Sequence, residues 1–128
     1  MQYSIDKVLN MSFDDAVTRV MDELKKEGFG VLTDIDVQTT LKKKLDVDFR
    51  KYRILGACNP PFAYKALQEE RRIGTMLPCN VIVQETESGQ IEVSAIDPIA
   101  SMRAIENPNL REIADQIQAK LKKVVERL

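Results

Sequence analysis

Histidine is missing from the chain altogether, which removes every mechanism that needs this chain's own imidazole to titrate or ligate near neutrality. Ser-His-Asp and Cys-His relays, His-Glu-x-x-His zinc proteases and two-His iron sites cannot be built from it. Any acid–base work falls to carboxylates, lysines, tyrosines or thiols, each of which needs surroundings that shift its pKa. Tryptophan is also absent, and only 5% of the residues are aromatic. With a pI near 5.6, this speaks against a stacking platform for nucleic acid, and no nucleic-acid partner is expected. Two cysteines are too few for a disulfide framework. No apolar run approaches transmembrane length, so no membrane partner is expected either. Met1 to Met11 alternates polar and apolar residues without a basic start, so no secretory signal is visible. The chain is read as cytoplasmic, a reducing setting in which cysteines stay free.

What is present is an ordinary globular composition. The 128 residues are 44% hydrophobic and 30% charged, enough for one core, and residues 1–128 read as a single domain. The net charge is −1 but unevenly spread. Leu41 to Arg72 holds nine basic and four acidic residues, a local +5, while the rest of the chain carries −6. Such a field favours an anionic ligand or an acidic neighbouring surface, although charged residues usually just line solvated faces.

Periodicity gives the element order. Tyr3 to Leu9 reads as a strand. Ser12-Phe-Asp-Asp15 then has the form of a capping box with Asp in place of Glu, followed by Phe13, Ala16, Val17, Val20, Met21 and Leu24 at helical spacing. Gly28 stops that helix, and Val31 to Ile35 reads as the next strand. Asp36 is placed to cap a shorter helix with Val37, Leu41 and Leu45 on one side. Asp48 to Cys58 is the third strand. Asn59 is the N-cap of a helix with Pro60 at its first position, and an irregular stretch runs from Glu69 to Pro78. Val81 to Gln84 and Ile91 to Ile96 flank a Ser88-Gly89 turn as a hairpin. Asp97-Pro98 and Asn107-Pro108 each open a helix, and the last carries a stripe from Leu110 to Leu128. The expected fold is α+β in the order β-α-β-α-β-α-β-β-α, a mixed sheet covered by helices, ending in a long helix.

Chemistry concentrates at two motifs. Cys58 stands in Ile54-Leu-Gly-Ala-Cys-Asn-Pro-Pro61 and Cys79 in Leu77-Pro-Cys-Asn80, each where an apolar run meets a proline break. If the strands that end at Cys58 and begin at Cys79 are antiparallel neighbours, the thiols share one sheet end; if parallel, they lie at opposite ends. Two thiolates supply half of a tetrahedral site, so a zinc ion on Cys58 and Cys79 would need further ligands from carboxylates or a second subunit. The 21-residue spacing, with no Cys-x-x-Cys, is a weak metal signal. Cys58 precedes the start of a helix, where exposed N–H groups favour a thiolate, but no partner base is evident. Arg71-Arg72-Ile-Gly74 sets two guanidinium groups beside a glycine, and Arg72 is a candidate anion contact. Gly28-Phe-Gly30 precedes a strand, the wrong order for a dinucleotide fingerprint.

Several blocks, in order, carry a resemblance: Gly28-Phe-Gly-Val-Leu-Thr-Asp-Ile-Asp-Val-Gln-Thr-Thr-Leu41, Tyr52 to Pro61, Leu77-Pro-Cys-Asn-Val81 and Ile96-Asp-Pro98. Over nearly its whole length the chain resembles the bacterial family catalogued as domain of unknown function 302. The resemblance implies a small α+β domain that is dimeric, and no established activity. It marks Asp34, Asp36, Cys58, Asn59, Pro60, Pro61, Pro78, Cys79, Asn80, Asp97 and Pro98 as signature positions. The expectation is a non-enzymatic homodimer that binds a small ligand or metal ion near Cys58, Asn59, Cys79 and Asn80, with Asp34, Asp36, Arg72 and Asp97 as outer candidates. A thiol-dependent enzyme or redox protein using Cys58 is the rival, and a structural partner-binding module is the third reading.

Overall fold

The computed structural model describes residues 2–128; Met1, where the alternating opening segment starts, lies outside them. The elements follow the expected order: β1 (Ser4–Leu9), α1 (Phe13–Lys26), β2 (Gly30–Asp36), α2 (Val37–Leu45), β3 (Tyr52–Cys58), α3 (Pro60–Glu69), a 3-10 turn (Ile73–Met76), β4 (Cys79–Glu85), β5 (Ile91–Ile96), α4 (Pro98–Ser101) and α5 (Pro108–Glu126). Local chemistry accounts for the boundaries. The Ser12 hydroxyl accepts the Asp15 N–H at 3.1 Å, and Asp14 and Asp15 sit at the positive end of α1, with Lys25 and Lys26 at its negative end. Gly28 takes φ +85°, which turns the chain out of the helix. Asp97 and Asn107 cap α4 and α5, each followed by proline.

The strands form one sheet in the order β1-β5-β4-β3-β2, antiparallel at every pairing, where a mixed sheet was expected. Helix-linked β1 and β2 do run in the same direction, but they occupy opposite edges with three strands between them and never pair. The third strand is also shorter than expected, because pairing begins at Tyr52. The side chain of Gln38 holds the carbonyl of Phe49 at 2.9 Å in the loop before it.

Strand alternation divides the sheet into two faces. Leu55, Ala57, Val81, Val83, Val93 and Ala95 are buried, and with Val20, Leu24, Leu110, Leu121 and Val124 of the helices they form the core. Each fully buried valine or leucine contributes roughly 1.5–3 kcal/mol. α5 is fastened to β1 by Lys7, whose ammonium donates to the carbonyls of Glu126 and Leu128 at 3.0 and 2.9 Å. On the other face Ile35, Ile54 and Ile82 stand side by side across three strands, and Ser94 and Asp6 continue the row. α2 buries none of its residues; Leu45 is 66% exposed, so the apolar side of that helix covers no core.

Candidate functional site

Register decides the question the two cysteines posed. β3 and β4 are antiparallel neighbours with Ala57 opposite Cys79, so Cys58 and Cys79 lie at one sheet end. Both are free thiols, Cys58 half-buried and Cys79 buried. They line one cavity of about 300 Å³, whose walls are otherwise almost wholly hydrocarbon. Ala63, Ala66 and Leu67 of α3 line it, as do Gly74 and Leu77, Met102 just after α4, and Ile117 of α5. Leu32 and Leu67, 70% and 46% exposed, mark the mouth. Leu32 sits where the β2–β3 register slips between Val31 and Thr33, and such a bulge re-aims a side chain at a sheet edge.

Burial raises the Cys79 thiol to about 11, and the neighbouring Cys58 thiol adds to the rise. Cys79 is therefore protonated at neutral pH, a weak nucleophile and a reluctant metal ligand. Among the described residues no three Cys, Asp or Glu side chains converge as a metal-holding group, so the two thiols remain half of a tetrahedral donor set.

Asn59 also lines the cavity, in a role different from the one expected. It is the N-cap residue of α3 by position, yet its side chain makes no capping bond. Instead the amide nitrogen donates to the carbonyl of Glu27 at 3.1 Å, pinning the start of α3 to the end of α1. A side chain on Gly28 would meet that nitrogen at 3.3 Å, so the glycine is needed for space as well as for its φ. The first turn of α3 also presents less to Cys58 than expected. Pro60 and Pro61 carry no N–H, which leaves Phe62 as the only one of the first three helical positions with a donor.

The remaining predicted positions lie elsewhere. Asn80 follows Cys79 by one residue and so points to the opposite face, where it shares a shallow groove with Tyr52, Ile82 and Ser94. Asp34 and Asp36 stand four and six residues along β2 from Gly30, the partner of Cys58, placing Asp34 roughly 13 Å up the strand. There Arg53 donates to both Asp34 oxygens at 2.8 and 2.7 Å, and this pairing raises the guanidinium pKa. Asp36 accepts the Thr39 N–H and hydroxyl at 3.0 and 2.9 Å as the cap of α2, and the backbone bond holds its carboxyl below the usual range. Asp97 is at the cysteine end of the sheet, but its carboxylate is taken by the Ile99 N–H and by Gln118 at 3.0 and 2.9 Å. Arg72 is exposed beside the 3-10 turn and does not line the cavity; its carbonyl accepts from Thr75.

The cavity walls went unread in the sequence. One signal was present: Ala63, Ala66 and Leu67 recur at i, i+3 and i+4, and small residues facing a sheet end leave room. The contributions of Met102 and Ile117 depend on long-range packing.

Comparison with known proteins agrees with this architecture. Residues 5–128 match the model of a family described as "Domain of unknown function DUF302". A crystal structure of an uncharacterized conserved protein DUF302 from Bacillus stearothermophilus superposes with a TM-score of 0.92 at 29% identity, covering 99% of this chain and 98% of that one. A search of curated proteins finds no match.

Proposed function

From the premise that the chain belongs to the DUF302 family, which carries a fold without an assigned activity, we propose that it is a non-enzymatic domain that binds a small molecule in the cavity between Cys58, Cys79 and α3. The observation that carries this reading is the cavity itself. About 300 Å³ of hydrocarbon-walled space at the shared sheet end has the size and lining of small-ligand sites. A metal ion fits it poorly, because no three Cys, Asp or Glu side chains converge among the described residues and one of the two thiols is held protonated by burial, which leaves the Met102 thioether as the only further soft donor in the lining. The thiol-enzyme reading keeps Cys58 at the cavity wall, but without a base and with two prolines in the adjoining helical turn.

The domain works as a homodimer in this reading. The row of Ile35, Ile54 and Ile82 on the face opposite the core supports it, since an apolar row on a partly exposed sheet face suits a self-complementary, two-fold contact. Titration with benzene, followed by heteronuclear NMR, tests the binding claim. Shifts confined to Cys58, Ala66, Met102 and Ile117, and lost in Ala63→Phe, are expected. A wild-type spectrum unchanged at millimolar benzene contradicts the proposal.

A further inference from the structure

The hydrogen-bonding inventory of the cavity narrows the class of its occupant, given the reading of the cavity as a binding site. No Lys, Arg, Asp or Glu is among its lining residues. A charged molecule would shed its water there without a countercharge, which disfavours carboxylates, phosphates and ammonium ions alike. The volume is about twice that of the 150 Å³ apolar cavity that takes benzene, so it suits a body of one to two rings or a hydrocarbon of similar bulk.

Asn59 adds a direction. It is nine-tenths buried, and its amide orientation is settled by chemistry. The Glu27 carbonyl can only accept, so the nitrogen must face it. The amide oxygen is then the acceptor the side chain has left; no protein donor reaches it among the described residues, and it is not sealed off from a molecule in the cavity or from water. The thiols beside it are weak donors and weak acceptors and do not substitute for it.

We infer that the cavity takes an uncharged, mainly hydrocarbon molecule bearing one hydrogen-bond donor, a hydroxyl or ring N–H, received by Asn59 Oδ1. The donor sets the ligand's orientation, and the apolar walls supply most of its affinity.

Three probes sharing one body test this at pH 7: naphthalene, 1-naphthol and 1-naphthoate, each titrated by NMR into wild-type protein and into Ala63→Phe. The expected order is 1-naphthol tighter than naphthalene by about five- to tenfold, the contribution of one neutral hydrogen bond, with 1-naphthoate at least tenfold weaker than naphthalene. Naphthalene matching 1-naphthol, or 1-naphthoate binding best, overturns the inferred class and leaves the cavity standing as a binding site. If none of the three binds the wild type, or all three bind Ala63→Phe equally well, the binding-site reading falls as well. The probe series needs no substitution at Asn59, whose loss would free the Glu27 carbonyl and disturb folding.

Discussion

At one end of β3, Arg53 grips Asp34 through two hydrogen bonds and Asp36 spends both oxygens on Thr39, while at the other end Cys58 and Asn59 border an apolar hollow. Both clusters looked chemically promising as strings of residues. The acidic one is satisfied within itself, so its polar groups maintain structure: a bidentate ion pair across two strands and a helix cap. The cysteine one retains unspent capacity, with an amide oxygen lacking a donor, two free thiols and open volume. A polar motif signals binding only when the fold leaves something unsatisfied beside space.

This contrast can be broken or sharpened in several ways. The largest effect is expected at Gly56, between the two ends. A side chain there would collide with Thr33 and lie 2.8 Å from Pro78, so Gly56→Ala should lower stability by about 1–3 kcal/mol in urea unfolding. An unchanged midpoint would mean that this close approach does not shape the sheet. Next, Ile82→Lys on the face opposite the core is expected to convert a species of twice 14.6 kDa into one of 14.6 kDa in sedimentation, with benzene binding retained. A wild type that sediments as a monomer at high concentration would remove the dimer from the account.

Asp36→Ala should cost about 1 kcal/mol through loss of the cap and leave the cavity's ligand affinity unchanged. The native carboxyl pKa is depressed, so the stabilisation is full above the unfolded value of about 3.9 and is lost as pH falls through the native one. Wild-type and variant stabilities should therefore converge in acid, and a constant gap would contradict the cap's ionic share. The smallest effect is kinetic. At pH 7 an alkylating reagent should modify Cys58 well before Cys79, whose thiol ionises only near pH 11. Equal rates at pH 7 would show that Cys79 is less enclosed than its burial implies.

Much of this was legible in the chain. Ser12, Gly28, Asp36, Asn107 and the proline pairs announce helix boundaries because caps act within a few residues. Cys58 and Cys79 could be tied to strand ends, but whether they met depended on strand order, which local pattern does not encode. Asn80 could have been separated from Cys79, since neighbouring residues in a strand face opposite ways, although the same rule gives Cys58 the parity of Asn80 and only its place at the strand end brings it to the cavity. Asn59 was expected to cap, and only tertiary packing reveals that Glu27 claims its nitrogen. The bulge at Leu32 and the placement of Met102 and Ile117 come from the meeting of distant segments, so the spacing of Ala63, Ala66 and Leu67 in α3 was the cavity's one local signature.

The most direct measurement is a crystal structure determined under xenon pressure. Xenon density is expected in the hollow bounded by Cys58, Cys79, Ala66, Met102 and Ile117, with none at the Asp34–Arg53 end. A hollow collapsed onto its own side chains, or filled by hydrogen-bonded waters that exclude xenon, would contradict an apolar binding site there.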